Sequence, residues 1–350
     1  MSGGQETRIL IVGTGAVGGF YGSRMHQPPQ TKVSVLCRSN YNAVKEKGIT
    51  LKTRDFGDYH FQPHAVFRNI IDAARDVSYD YLIVTAKALP DVVDDSAEIE
   101  PLVRENTCIV LIQNGVGVEE PYRNRYPKNV IISAVTVISA EQIEHGVIRQ
   151  NRWTRITMGP YYNGHLSGQS QTKTDIEEKS EAQLRRLAEL LQRGGIRDAK
   201  KVDEEELQMT RWHKIAINGS MNPSSVLSNG CGNAAMSLDS ELRIHLKGVM
   251  EEVRPTGEVL RTAPLVLGRE WPSKGYATSE EILKSTERNT EGRPSMLVDW
   301  ENHRPMEIEV ILGNPIRIAR SKGIEMPRLQ SLYALIKMAQ QQRDKMKSRL

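Results

Sequence analysis

The sequence predicts an α/β protein: an N-terminal Rossmann-like doubly wound sheet followed by an all-α C-terminal domain. Three observations predict it. A glycine-rich strand-to-helix transition lies near the N-terminus, short apolar runs alternate with helical periodicity up to about residue 200, and no convincing strand follows residue 203. The expected domains are therefore 1–200 and 201–350, and 350 residues give each enough chain for its own core.

The first element organises the rest. Ile9 to Val12 is an apolar run with the length of a buried parallel strand. It leads into Gly13-Thr14-Gly15-Ala16-Val17-Gly18, a G-x-G-x-x-G sequence, after which Val17, Phe20, Tyr21 and Met25 recur at helical spacing. Gly19, Gly22 and Ser23 keep this helix thin enough to lie close on a sheet. Gly13 permits the tight turn, Gly15 lets a pyrophosphate approach the backbone, and Gly18 lets helix and strand pack closely. The phosphates would sit on free N–H groups at the positive end of the helix. Glycine clusters mostly mark ordinary turns. Between a strand and a helix, Gly13, Thr14, Gly15, Ala16, Val17 and Gly18 instead read as a dinucleotide site.

The second strand, Lys32 to Cys37, decides the cofactor. An NAD site usually carries Asp or Glu here to bind the ribose hydroxyls; this chain has Arg38-Ser39-Asn40. Arg38 can fork onto a 2′-phosphate that a carboxylate would repel, so the expected cofactor is NADP (NADPH). The alternative is a surface arginine at a strand end.

A short helix is expected over Tyr41 to Lys47, and 48–69 shows mixed short strands and turns without a clear pattern. Tyr79 to Ala86 reads as a buried strand ending at Lys87, with a helix from Pro90 through about Val103. Thr107 to Ile112 is the next strand, ending in Gln113-Asn114-Gly115-Val116-Gly117. Ligands gather at the carboxyl ends of strands in an open parallel sheet, where Lys87 and Asn114 both fall. Separately they are a turn-capping lysine and an Asn-Gly turn; together they read as part of a site.

Val130 to Ser139 is a further strand, and Gly146 to Gln150 with Thr154 to Met158 forms a hairpin-like edge. Gly164 to Thr174 reads as a polar surface insertion. Asp175 to Arg193 is helical, with Ala182, Leu184, Leu187, Leu190 and Leu191 on its apolar face and Gly194-Gly195 as its stop. Helices are then expected over Glu204 to Asn218, Ser240 to Arg261, Ser279 to Glu287 and Met306 to Lys322. Gly323 is a stop, Pro327 precedes a last helix, and the basic tail Arg343 to Arg349 is its solvated end.

Composition narrows the function classes. Apolar residues at 39% and charged residues at 26% describe a globular chain, and its +4 charge is spread along the length rather than gathered into a nucleic-acid patch. The longest apolar run, Val130 to Ala140, is interrupted by hydroxyl residues and too short for a membrane span. Met1 to Thr7 is polar and reads as neither signal nor transit peptide. Cys37, Cys108 and Cys231 are far apart and odd in number, which argues against a disulfide framework or a zinc site. A cytoplasmic location and no metal are expected.

Arg211 to Pro223 reads RWHKIAINGSMNP. Lys214, Asn218 and Asn222 stand four apart and share one helical face if the helix continues that far. A solvated face is the commonest fate of such residues. Two asparagines and Gly219 weaken a helix, however, so helix stability does not account for them. Chemistry could: a lysine donates a proton or stabilises a developing alkoxide, while amides fix a small polar substrate.

In order and together, these motifs resemble the 2-dehydropantoate 2-reductase (ketopantoate reductase) family, from Gly13 to the last helix. The resemblance implies that Gly13–Gly18 is the family's glycine loop, Arg38 its NADP-selecting arginine, Lys87 its strand-end lysine and Asn114-Gly115 its asparagine-glycine turn. It implies that Lys214 is the catalytic lysine, with Asn218 and Asn222 the asparagines that follow it. Ser295, in Pro294-Ser295-Met296-Leu297, matches a serine that holds substrate carboxylate. Glu307, in Met306-Glu307-Ile308, matches a glutamate that orients substrate. Lys87 and Asn114 would fix nicotinamide and substrate, and Ser295 could instead N-cap its helix. One stretch departs: the family usually continues past its glutamate with Asn-Gly, whereas this chain has Leu312-Gly313-Asn314-Pro315. The departure leaves reaction type intact and substrate identity open.

The implied activity is NADPH-dependent reduction of 2-dehydropantoate or a related small-molecule 2-oxo acid, with no nucleic-acid or membrane partner and a homodimer as the assembly considered. A β-hydroxyacid dehydrogenase shares the glycine loop and Lys-x-x-x-Asn helix but is disfavoured by Gln113-Asn114-Gly115 and by Ser295 with Glu307. A non-catalytic NADP-binding regulator is disfavoured by the intact Lys214.

Overall fold

The computed structural model describes residues 6–75, 77–162, 175–253, 262–268, 270, 275–290 and 292–347. The Gly164 to Thr174 insertion and the end of the helix expected to reach Arg261 lie outside them. The chain divides into two compact units. The first comprises Met1–Lys87, Asp94–Gln113 and Glu119–Leu207; the second comprises Ala88–Val93, Asn114–Val118 and Gln208–Leu350. The division near residue 200 thus falls within a helix, and two short segments of the N-terminal half group with the C-terminal helices. Among the described residues no helix is long and apolar enough to cross a membrane.

The first unit holds ten strands: β1 (Thr7–Val12), β2 (Thr31–Leu36), β3 (Ile49–Thr53), β4 (Tyr59–Phe61), β5 (Val66–Phe67), β6 (Tyr81–Val84), β7 (Cys108–Leu111), β8 (Ile131–Glu144), β9 (Val147–Pro160) and β10 (Ala199–Lys201). They form one sheet in the order β4-β3-β9-β8-β7-β6-β1-β2-β5, with β10 beside β9. From β5 to β8 every neighbour is parallel. This is the Rossmann strand order, and its chain reversal sits at β1. The runs are continuous because both faces are covered: Ile9, Ile11, Val33, Ile83 and Val110 pack into one core with Phe20, Tyr21 and Met25. Leu10, Leu82, Val84, Ile109 and Leu111 pack into another.

Beyond β8 the sheet becomes mixed. β9 runs antiparallel to β8, β3 parallel to β9, and β4 antiparallel to β3. The stretch 48–69 supplies β3, β4 and β5, and the two pieces of the expected hairpin edge are one strand, β9. The helix expected from Pro90 to Val103 does not form as one element. Asp94 accepts from the N–H groups of Ser96 and Ala97 at 3.0 and 3.2 Å, starting a four-residue helix, Asp95–Glu98. A 3₁₀ turn, Glu100–Leu102, follows with Pro101 in it. The aspartate's local hydrogen bonds delay the helix start until well past Pro90.

In the second unit the helix expected to end at Asn218 runs from Glu204 to Leu227, through Pro223. The missing proline N–H costs one helical bond; burial of Trp212, Ile215, Met221 and Val226 among the helical core holds the element together. Helices follow at Asn233–Leu238, Ser240–Val253, Thr262–Leu267, Ser279–Thr286, Ser295–Glu301, Asn314–Ser321 and Pro327–Lys347. The helix expected over Met306 to Lys322 is interrupted: Glu309–Gly313 is a π turn, in which the Asn314 N–H reaches Glu309 O. Pro315 has no N–H for Val310 O, the acceptor next in that register. Val310 O instead accepts the N–H of Val116 at 3.0 Å.

Candidate active site

The first unit presents the glycine loop. Gly13 has φ +99°, and a Cβ there would lie 2.7 Å from Ala86 Cα. Thr85 and Ala86, just past β6, donate their N–H groups to Val12 O, drawing the strand ends together. At Gly18 a Cβ would meet Thr85 Oγ1 and would lie 2.5 Å from Gly13 O and 2.9 Å from Ile11 Cγ2. At Gly15 a Cβ would meet nothing within 4 Å. Two glycines thus serve internal packing and the third borders open space.

Gly15 also caps the helix Ala16–Met25 without a side-chain bond, so the first-turn N–H groups can serve an anion. Thr14 Oγ1 donates to Leu36 O at 2.9 Å and Asn40 Nδ2 to Thr14 O at 2.7 Å, tying the loop to the end of β2. Asn40 was not anticipated as a loop support; its sequence signal was its place directly after Arg38-Ser39. Arg38 is exposed, with Nη2 3.0 Å from Glu98 Oε2. Lys87 is exposed just beyond the end of β6. A loop open at Gly15, an uncapped helix start and a guanidinium at the end of β2 together fit a dinucleotide.

The second unit gathers the proton-transfer candidates. Lys214 and Asn218 are partly buried and Asn222 is buried on the Glu204–Leu227 helix, which does continue far enough to align them. Burial first, and then Arg211, bring the Lys214 ammonium down to about 8, with Glu307 acting in the opposite direction. Glu307 is buried, and its Oε2 accepts from Asn114 Nδ2 at 3.1 Å. The buried Asn222 Nδ2 has no hydrogen-bond partner among the described residues, leaving an amide donor whose burial calls for an acceptor. Ser295 is exposed at the first position of its helix; Pro294 occupies the cap and no side chain bonds there, so Ser295 is not the N-cap.

Asn114 is held by its own turn. Gly115 has φ +100°, and a Cβ there would meet Val310 Cβ. Arg211 Nη1 donates to Gly115 O at 2.8 Å, and Asn314 Nδ2 donates to Val116 O at 2.8 Å. The departing stretch Leu312–Pro315 therefore clasps the turn with Asn314 while Leu312 is fully buried. Behind it, Glu309 accepts from Tyr333 Oη at 2.8 Å and pairs with Arg317 at 2.8 Å and Lys337 at 3.1 Å. Burial alone would raise the Glu309 carboxyl; these three donors bring it below the ordinary carboxylate value. Arg211 and Glu309 were not singled out from sequence. Glu309 had a weak signal, an acidic residue two past Glu307 in an apolar run.

A Rossmann unit with an open glycine loop, joined to a helical unit bearing lysine, carboxylate and amides, defines the class of two-domain nucleotide-dependent oxidoreductases. The chain belongs to the ketopantoate reductase PanE/ApbA family, whose N-terminal model matches residues 9–163 and whose C-terminal model matches 206–340. It is similar to the 2-dehydropantoate 2-reductase of Nostoc sp., 27% identical over 332 residues, 95% of each chain. The crystal structure of 2-dehydropantoate 2-reductase from Methylococcus capsulatus is 30% identical, with TM-score 0.77 over 96% of this chain and 97% of that one. D-Mandelate dehydrogenase, solved with NADH and anilino(oxo)acetate, has TM-score 0.74 over 96% of this chain and 99% of that one. At 19% identity, that likeness shows the fold alone.

Proposed function

We propose that this chain reduces 2-dehydropantoate to pantoate with NADPH, Lys214 acting as general acid. Family membership and the sequence relatives support the reaction class. The observation that carries the residue assignment is the lysine lowered to about 8 with Glu307 acting on it and Asn114 bonded to that glutamate. Bound reduced dinucleotide supplies hydride to the C2 carbonyl carbon. Gly13 to Gly18 would hold its pyrophosphate and Arg38 its 2′-phosphate. Lys87 and Asn114 would fix nicotinamide and substrate.

Lys214 would give a proton to the carbonyl oxygen as negative charge grows there, so that hydride and proton together convert C=O to CH–OH. A lysine near pH 8 is protonated at neutral pH yet gives up its proton more readily than an ordinary one. Glu307 would accept from the substrate hydroxyl while holding Asn114. Asn218, Asn222 and Ser295 would orient the substrate's carboxylate and hydroxyl ends, the unpartnered Asn222 amide being the donor best explained that way.

The test is NADPH oxidation with 2-dehydropantoate beside Lys214→Ala. Loss of about 10²- to 10⁴-fold in kcat with retained NADPH binding supports the assignment. Turnover confined to another 2-oxo acid keeps the chemistry and removes the substrate. The Leu312–Pro315 departure makes that panel worth running. NADPH binding without turnover of any 2-oxo acid sinks the enzyme reading and leaves a regulator.

A further inference from the structure

We propose that Arg211 is a positioning residue of this site: it fixes the Asn114–Gly115 turn to the helix that carries Lys214 and sets a second positive charge one helical turn from that lysine. The inference rests on the proposed proton transfer by Lys214.

Arg211 is among the largest fully buried side chains of the protein, 2% exposed. An arginine in such a place must meet acceptors, because desolvating a guanidinium is costly. Its Nη1 meets Gly115 O at 2.8 Å, a charge-assisted bond. That carbonyl belongs to the turn whose preceding residue, Asn114, donates to Glu307, so one guanidinium braces the donor that orients the carboxylate. Arg211 also precedes Lys214 by three residues, which places the two on one helical face. Among the described residues, Lys214 feels Arg211 on its own helix and Glu307, which lies just before the π-turn segment. They act in opposite directions: Arg211 favours the neutral amine and Glu307 the ammonium.

A brace alone and a brace that also sets charge predict different results. Arg211→Lys retains the charge and changes the reach; Arg211→Met loses both. Two readouts separate the roles. The first is the pH dependence of acetic-anhydride labelling at Lys214, followed by peptide mass spectrometry, which titrates the amine without requiring turnover. The second is kcat against pH. For a general acid, kcat falls as pH rises through the lysine's own value, about 8 in the wild type.

In Arg211→Met both midpoints should move to higher pH by about half a unit or more, while kcat at pH 7 falls about tenfold or more as the Asn114 turn loosens. Arg211→Lys should keep the wild-type midpoints and recover part of kcat. Unmoved midpoints in a folded Arg211→Met overturn the proposal, as do equal shifts in both variants. If the labelling midpoint moves but no 2-oxo acid is turned over by the wild type, the proposed reaction fails while the electrostatic role of Arg211 stands. Should Arg211→Met not fold, an unchanged midpoint in Arg211→Gln overturns the proposal.

Discussion

Gly15 and Gly18 separate what the glycine loop does for the fold from what it does for a ligand. At Gly18 an added methyl would meet Thr85 Oγ1 and would lie 2.5 Å from Gly13 O and 2.9 Å from Ile11 Cγ2. Two of these neighbours are already bonded, Thr85 Oγ1 to Gly13 O at 2.5 Å, so they cannot yield independently. Overpacking costs about 1–3 kcal/mol, and the rigid backbone acceptor puts Gly18→Ala near the top of that range. Better helix propensity returns about 1 kcal/mol. A net loss of about 2 kcal/mol lowers Tm by about 4–8 °C for a unit of this size.

Gly15→Ala differs. The methyl would have open space, and φ −88° is ordinary for alanine. The poorer N-cap costs about 0.5–1 kcal/mol, and the stiffer unfolded chain offsets about 0.4–1 kcal/mol. Its Tm should therefore stay within about 2 °C. The methyl occupies the approach to the first-turn N–H groups, and losing one charge-assisted bond, about 1.5–3 kcal/mol, weakens cofactor binding about 10- to 100-fold. Thermal unfolding and NADPH titration of both variants decide it. Unchanged affinity in a stable Gly15→Ala would refute a pyrophosphate at this loop.

Three further outcomes follow from the same geometry. Arg38→Ala should weaken NADPH about tenfold and leave NADH unchanged by fluorescence titration; the exposed Arg38–Glu98 pair, worth under about 1 kcal/mol, offers little resistance to rearrangement. Gly115→Ala should cost about 2–4 kcal/mol in urea unfolding, from the φ of +100° and the approach to Val310; an unaffected midpoint would show that the turn is not held as described. Glu309 has a lowered carboxyl, so its stabilisation is full above the ordinary value of 4.5 and is lost as pH falls through its folded value. Glu309→Gln should therefore destabilise by about 1–2 kcal/mol at pH 7, discounted because Arg317 and Lys337 are exposed, and the gap from wild type should shrink as pH falls below 4.5.

The parallel half of the sheet was legible because strands covered on both faces leave uninterrupted apolar runs, as in Ile9–Val12 and Tyr81–Val84. The mixed half was not. β4 and β5 are only three and two residues long, too short for a period-2 pattern to emerge. Lys214, Asn218 and Asn222 were legible because four-residue spacing on one helix needs no knowledge of the tertiary fold. Arg211 was not, since a buried arginine has the same sequence appearance as a surface one and is told apart by distant partners such as Gly115 O, 96 positions away. The Pro315 departure lies between these cases. Its lost helical bond was predictable, but not what replaces it. The π turn leaves Val310 O for the N–H of Val116, while the neighbouring Asn314 takes Val116 O. Both backbone groups of Val116 are thereby satisfied by one segment, close beside Asn114 and the Glu307 it bonds. The substitution that set this chain apart from its family pattern and the strand-end turn that tied it to the family are two sides of one contact. The Asn114–Val116 turn and the Leu312–Pro315 segment should therefore be altered together, not separately, when the site is redesigned.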